Sequence, residues 1–370
     1  MGDKRELRAV IVGAGAAGLA TSRALASAGV EHVVLERGDR PGYIWSRHYD
    51  SLTLHTGKRM SKLAGLSFPR TVPEFPSRDD LLAYLKQYAA VFKLPVQTGV
   101  DVRAVVRDGA RWKVRAADGR EWMAQSVVMA TGIASNPFVP PLPGRDRFGG
   151  RVRHSSEYLR PDDCRGRRVL VAGVGNSGGE IAAELAQSGV DVTVAVRSGA
   201  VVVPRDVAGV PLQYITPLFG WLPRGGQRVA AKFIGKVGGR FRDKSPLPPP
   251  NPGPCLRVPL VGFHLVDQIR AGRITVRPGL AGFTGTGVRF DGGSEEPFDD
   301  VILATGYRAA IGILGHQVGT DECGYGRRRS RVISTDQPNL YYVGHNPDIR
   351  GAIYAINRDA KRVVRAIAGT

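Results

Sequence analysis

Short apolar and β-branched runs alternate along this chain with longer stretches of helical character, and glycines stand at the joints. The first such unit opens near the N-terminus. Ala9–Val12 reads as a strand, Gly13-Ala14-Gly15-Ala16-Ala17-Gly18 as a turn, and the alanine-rich stretch from Leu19 to Ala28 as a helix stopped by Gly29. His32-Val33-Val34-Leu35-Glu36 is the next strand. The pattern returns with strand 169–172, the turn Gly173-Val174-Gly175-Asn176-Ser177-Gly178, a helix over 180–187, Gly189, and strand 192–196. Gly173, Gly175, Gly178 and Gly189 each lie 160 positions after Gly13, Gly15, Gly18 and Gly29. Two βαβ units repeated without a gap predict an α/β protein with two Rossmann-like dinucleotide-binding domains.

A smaller repeat agrees. Val127-Val128-Met129-Ala130-Thr131-Gly132 resembles Val301-Ile302-Leu303-Ala304-Thr305-Gly306, and each follows a stretch that reads as a small antiparallel sheet, 100–114 and 274–290. The proline-rich stretch 137–143 suits a domain crossover. These features predict a discontinuous first domain, residues 1–147 and 308–370, and a second domain over 148–307. Within the second, residues 209–256 read as an irregular insertion with a basic amphipathic stretch, 227–244, and a proline-rich one, 246–254. Residues 340–343 read as a strand and 351–367 as a terminal helix.

Composition is globular, 42% hydrophobic and 23% charged, with a formal net charge of +19. The basic residues are dispersed rather than gathered on one helix or tail, which argues against a nucleic-acid partner. The densest run, Arg327–Arg331, reads as a solvated loop. Cys164, Cys255 and Cys323 are far apart and no CxxC occurs, which argues against a zinc site or a disulfide scaffold and for a reducing, cytoplasmic setting. No apolar run reaches the roughly 20 residues needed to span a bilayer, and no signal peptide is visible.

With 48 glycines, roughly 0.8 GxGxxG matches are expected by chance, so the setting carries the argument. Gly13 permits a tight turn, Gly15 lets backbone approach a pyrophosphate, and Gly18 lets helix and strand pack closely. The helix N-terminus then presents free N–H groups to phosphate. Glu36 ends the second strand, where a carboxylate accepts ribose hydroxyls, which fits FAD. The equivalent position in the second copy is Val196, followed by Arg197 and Ser198. A guanidinium fork suits a 2′-phosphate, so NADPH is expected there, with Arg205 as a second contact.

The segment Phe148-Gly149-Gly150-Arg151-Val152-Arg153-His154-Ser155-Ser156-Glu157-Tyr158 reads FxGxxxHxxx(aromatic) and resembles the fingerprint of class B flavin-containing monooxygenases. Chance would give this match roughly 0.001 times. Gly173–Glu180 resembles the GxGNSGxE turn of the plant YUCCA-type members and their short bacterial relatives, Tyr49–Thr56 their YDxLxLH segment, and Ala304-Thr305-Gly306-Tyr307 their second ATGY motif. The stretch 261–279 extends the likeness over nearly the whole chain. Two departures stand out. Tyr43 occupies a place where the family often has a small residue before Trp45, and His55 stands where amine-oxygenating members tend to carry Asn. The C-terminal membrane helix of the animal members is absent from this sequence.

The resemblance implies an enzyme in which NADPH reduces FAD, O2 forms a C4a-(hydro)peroxyflavin, and a small organic substrate receives oxygen at nitrogen, sulfur or a carbonyl or 2-oxo-acid carbon. The domains then face each other across a cleft. The FAD contacts it implies are Gly13, Gly15, Ala16, Ala17, Gly18, Glu36, Arg37, Trp45, Leu54, His55, Val102, Ala130, Thr131 and Gly132. Those for NADP are His154, Gly173, Gly175, Asn176, Ser177, Gly178, Arg197, Ser198, Arg205, Ala304, Thr305 and Gly306. His55 and Asn176 are the catalytic candidates; Asn176 also reads as a helix cap and His154 as a positioning residue. No metal site is expected. A homodimer is a compatible assembly. The competing reading is an NADPH-dependent flavin reductase or oxidase of the thioredoxin reductase kind, which needs a redox dithiol that the cysteine spacing does not supply.

Overall fold

The computed structural model describes residues 7–219, 245–250, 259–346, 348 and 350–369. The basic stretch 227–244 lies outside them, as does 251–254 of the proline-rich one. The chain forms two compact units. One comprises residues 1–47, 52–136 and 307–370; the other comprises 48–51 and 137–306. The forward crossover thus falls at Asn136–Pro137 rather than after residue 147, and the four residues 48–51 leave the first unit for the second.

In the first unit, parallel strands lie in the order Leu340–Tyr342, Glu121–Met129, Leu7–Val12, His32–Leu35 and Val96–Gln97. The alternation of side chains explains the all-apolar strands. Ala9 and Ile11 pack with Leu19, Leu25, Ile356 and Val363, while Val10 and Val12 face Val33, Trp112, Val127 and Tyr342. Helices Ala16–Ser27 and Ala352–Ala368 cover the first of these faces. An antiparallel arm, Val102–Asp108 and Arg111–Ala116, joins the sheet through Glu121–Met129.

The second unit holds a five-stranded parallel sheet in the order Ile274–Pro278, Asp191–Val196, Arg168–Ala172, Asp300–Leu303 and Arg151–His154. Its antiparallel annex is Leu280–Phe283, Gly287–Phe290 and Glu295–Pro297. Ile274–Pro278 therefore belongs to the parallel sheet, not to the antiparallel stretch in which the sequence pattern placed it. Its branched residues suit either sheet, and pairing with Asp191–Val196 decides. The strand Asp206–Val207 precedes the insertion and pairs with Val210–Pro211 at its start, and the helix Leu212–Phe219 follows.

Both turn helices start earlier than helix propensity suggests, at Ala16 and Asn176. Glycine disfavours helix by about 1 kcal/mol relative to alanine, so the pattern puts Gly18 and Gly178 in the turns. Both nevertheless lie within the helices, and each is glycine because a side chain there would meet the carbonyl of Gly13 or Gly173. Cys164 is a buried free thiol, while Cys323 is disulfide-bonded, which the cysteine spacing did not signal.

Candidate functional site

The first glycine turn shows why each glycine is there. Gly13 has φ +102°, and a Cβ on it would lie 2.6 Å from the Ala130 carbonyl oxygen. A Cβ on Gly18 would lie 1.8 Å from the Gly13 carbonyl oxygen. At Gly15, by contrast, an added Cβ meets nothing within 4 Å. That glycine is not required by the protein's own packing, and its open face is what a cofactor's pyrophosphate would fill. The helix behind it is capped by Gly15 without a side-chain hydrogen bond and has no acidic residue in its first turn. Its first N–H groups are therefore not satisfied by a cap side chain, which suits an anion.

Glu36 lies at the end of His32–Leu35, buried at 7% exposure. Its carboxylate accepts the Ala14 N–H at 2.7 Å and the Gly38 N–H at 2.9 Å. Each oxygen retains acceptor capacity for a ribose hydroxyl. Arg37 is exposed. Ala16, Ala17, Leu54, Val102 and Ala130 are buried, and Trp45 is half-buried against the same core as Leu54. Tyr43, the departure from the family pattern, packs over Gly38, where a Cβ would lie 2.1 Å from its ring. Thr131 donates its hydroxyl to the Ala310 carbonyl at 2.6 Å, which commits the side chain's one donor. His55 is half-buried, between Leu54 and Thr56.

Sequence reasoning named no residue beyond 306 for the first site, yet the C-terminal part of the unit converges there. A Cβ on Gly344 would lie 3.4 Å from the Cβ of Ala17, and one on Gly351 would lie 2.8 Å from Thr56. Gly351 caps helix Ala352–Ala368, again without a side-chain bond. The connection is held by the arginine run that charge patterning assigned to solvent. Arg328, its side chain 13% exposed, donates to the Asn346 Oδ1 at 3.1 Å and to the His345 carbonyl at 3.0 Å. Arg331 pairs with the buried Asp359 at 3.1 Å, whose other oxygen accepts from Asn346 at 2.6 Å. The correction has a simple cause: these partners lie 15–28 positions away in sequence, beyond any local pattern.

His345 is fully buried, stacked on Tyr342 at 5.4 Å, and neither ring nitrogen has a hydrogen-bond partner among the described residues. Burial, with the Arg328 charge, pushes its pKa down from 6.5 to about 4. The folded state therefore keeps it neutral while the unfolded chain binds a proton below pH 6.5. Its contribution is complete above pH 6.5 and is lost as pH falls towards 4, reaching about 3 kcal/mol. Urea unfolding of the parent and of His345→Phe between pH 7 and pH 4.5 checks this. The parent should lose more stability than the variant by about 2 kcal/mol near pH 5; equal slopes would contradict it.

The second turn repeats the first. Gly173 has φ +109° with the Ala304 carbonyl oxygen 2.5 Å from its notional Cβ; at Gly178 the Gly173 oxygen is at 2.1 Å; at Gly175 nothing lies within 4 Å. Gly175 caps the helix, again without a side-chain bond, so Asn176 is the first helical residue rather than the cap. The Asn176 amide clasps another segment instead: it accepts from the Val261 N–H at 2.9 Å and donates to the Pro259 carbonyl at 3.2 Å. Ser177 is half-buried and Gly178 buried. Arg197 is exposed just beyond Asp191–Val196, with Ser198 half-buried after it. Arg205 is half-buried, where burial lowers its pKa and the Glu180 and Asp206 carboxylates raise it. The structure thus sets Arg205 toward Glu180 and leaves Arg197 exposed.

The fingerprint also resolves into physical roles. Phe148 packs against Phe283 with ring centroids 5.2 Å apart. A Cβ on Gly150 would lie 2.5 Å from the Phe148 ring and 2.8 Å from the Asp299 carbonyl oxygen. His154, buried at 2% exposure, accepts the Ser156 N–H at Nδ1, 3.1 Å, which assigns the proton to Nε2 for donation to the Gly306 carbonyl, 3.0 Å. Burial lowers its pKa, offset by that Gly306 bond. Thr305 donates its hydroxyl to the Phe138 carbonyl. His154 and Thr305 thus set the Ala304-Thr305-Gly306 turn that backs Gly173. Tyr158, fully buried, donates to Glu184 at 2.8 Å. Among the described residues no cluster of three or more His, Cys, Asp or Glu could hold a metal, and no helix is long and apolar enough to cross a membrane.

Residues 10–207 match the pyridine nucleotide-disulphide oxidoreductase family. The chain is 38% identical over 314 residues to the rice (Oryza sativa subsp. japonica) indole-3-pyruvate monooxygenase YUCCA1, covering 82% of this chain and 77% of that protein. It is 34% identical over 387 residues to rice YUCCA4, covering 97% and 87%. A flavin-containing monooxygenase from Stenotrophomonas maltophilia has a similar structure, with TM-score 0.78, 27% identity and 98% coverage of both chains.

Proposed function

This chain belongs to the flavin-containing monooxygenases, and from that premise we propose that FAD binds at the first glycine turn, NADPH at the second, and that a small organic substrate is oxygenated by O2. The observation that carries the assignment is the pair of turns whose middle glycines, Gly15 and Gly175, border open space while their flanking glycines are packed against backbone. The two sites differ at the end of the second strand, where the first has Glu36 and the second has Val196 followed by Arg197. Glu36 offers a buried acceptor for ribose hydroxyls, and Arg197 offers a guanidinium for a 2′-phosphate.

The residues present fit both groups. The uncapped helix starts at Ala16 and Asn176 receive phosphate through backbone N–H. Ala130, Thr131, Gly132, Ala304, Thr305 and Gly306 line the turns, with both threonine hydroxyl donors already used within the chain. Asn176 positions the 259–261 segment, and Ser177 and Ser198 complete the nucleotide side. Arg205, partly neutralised by Glu180, is a weaker phosphate contact than Arg197. Trp45, Leu54 and His55 would flank the flavin, with His55 the candidate polar side chain of that stretch. Bound flavin supplies two-electron reduction by the nicotinamide and activation of O2; the chain binds, orients and excludes water.

The rice relatives' names make a 2-oxo acid the first substrate class to test here. The experiment is NADPH consumption under 18O2 over a panel of 2-oxo acids, sulfides, amines and ketones. Incorporation of label into one class, with NADPH use rising on its addition, supports the proposal. Hydrogen peroxide as the sole product throughout would leave only the flavin reductase reading.

A further inference from the structure

Three of the sequence motifs meet on one helix. Residues 48–51 belong to the second unit although their chain neighbours on both sides belong to the first. Within the second unit they are held at several points. Tyr49, 4% exposed, donates its hydroxyl to the Glu180 carboxylate. The Asp50 N–H donates to the Leu159 carbonyl at 2.9 Å, and Arg160 pairs with the Asp50 carboxylate at 3.2 Å. The Tyr49 ring lies 6.3 Å from that of Tyr158, whose hydroxyl goes to Glu184.

Glu180 and Glu184 are one turn apart on Asn176–Gln187, the helix that opens at the second glycine turn. Tyr49 begins the YDxLxLH segment, Tyr158 ends the fingerprint, and Glu180 ends the GxGNSGxE turn. Burial, with the neighbouring Glu184, raises the Glu180 carboxyl, while the Tyr49 bond and the Arg205 and His264 charges pull it back. Tyr49 follows Trp45 by four positions and precedes His55 by six. At about 3.3–3.6 Å per extended residue, those tethers are short.

We infer that Tyr49 and Glu180 are a positioning pair that ties the Trp45–His55 stretch to the nucleotide-binding helix, so that a nucleotide at the second turn changes the surroundings of the flavin. The inference rests on the proposed FAD and NADPH sites. Neither residue touches the reacting atoms; both act through the backbone that carries His55.

The test uses oxidised holoenzyme and a readout independent of turnover, the change in the flavin absorbance spectrum on adding NADP+. The parent shows that change. Tyr49→Phe, which removes one hydroxyl and little else, should lose most of it while its FAD content and its NADP+ affinity by calorimetry stay within about twofold. Its kcat should fall about tenfold with KM for NADPH unchanged, the size of effect expected for one buried hydrogen bond. Glu180→Ala should behave like Tyr49→Phe, and Glu180→Gln, which still accepts from Tyr49, should retain the parent's response. A Tyr49→Phe or Glu180→Ala enzyme with the full spectral change overturns the inference and leaves the cofactor assignments standing. A parent that takes up FAD yet shows neither NADP+ binding nor a spectral change overturns those assignments and the inference with them.

Discussion

Gly15→Ala is expected to fold normally and to come off purification colourless, with FAD affinity reduced by about a hundredfold. The magnitude follows from forcing a methyl group into a filled, close-packed contact, about 1–3 kcal/mol. The variant is informative because there is room for it: among the described residues nothing lies within 4 Å of the added Cβ. A loss of FAD with an unchanged apoprotein melting temperature must then come from the ligand. Gly18→Ala provides the contrast. Its Cβ would lie 1.8 Å from the Gly13 carbonyl oxygen, so the helix must move off the strand, and both stability and FAD should fall together. Gly175→Ala should reproduce the first effect at the other site, keeping the yellow colour and raising KM for NADPH. Flavin content by absorbance and thermal melting of the apoproteins separate the cases. A Gly15→Ala protein that holds FAD like the parent would remove the pyrophosphate from this turn.

Arg197→Glu should invert the preference between nicotinamide cofactors. The guanidinium is exposed just beyond Asp191–Val196, one position after Val196, which stands where the first unit has Glu36. A charge-assisted hydrogen bond to phosphate contributes about 1.5–3 kcal/mol, and an introduced carboxylate adds repulsion. We expect kcat/KM for NADPH to fall at least about a hundredfold, kcat/KM for NADH to change by no more than about threefold, and FAD content to stay constant. Steady-state kinetics with both cofactors decides. Arg205→Ala should have the smaller effect on NADPH, since Glu180 and Asp206 already offset its charge. If Arg205→Ala is the more damaging and Arg197→Glu is silent, the 2′-phosphate site lies with the insertion strands rather than at the sheet edge.

Much of the fold is legible in the sequence because it depends on neighbours a few residues apart. Strand, glycine turn and helix are set by local sterics, and the constant spacing of the two copies discloses the duplicated architecture before any contact is known. The same holds for Glu36 against Val196-Arg197, a difference visible by aligning one half of the chain on the other. Element ends were less legible. Gly18 and Gly178 discourage helix by propensity yet lie inside helices, at positions where the Gly13 and Gly173 carbonyls leave no space for a side chain.

What only the tertiary structure decided is which distant groups meet. Ile274–Pro278 could have joined either sheet until its partner was known. The arginine run 327–331 looked like solvent-facing charge, yet Arg328 and Arg331 fasten the Asn346 connection beside the first glycine turn. His154 reaches Gly306 across 152 positions, and Tyr49 reaches Glu180 across 131. Hydrophobic periodicity and glycine placement record what each residue needs from its immediate neighbours. A polar side chain's partner is chosen by the packing of whole elements, and the local pattern holds no record of that choice.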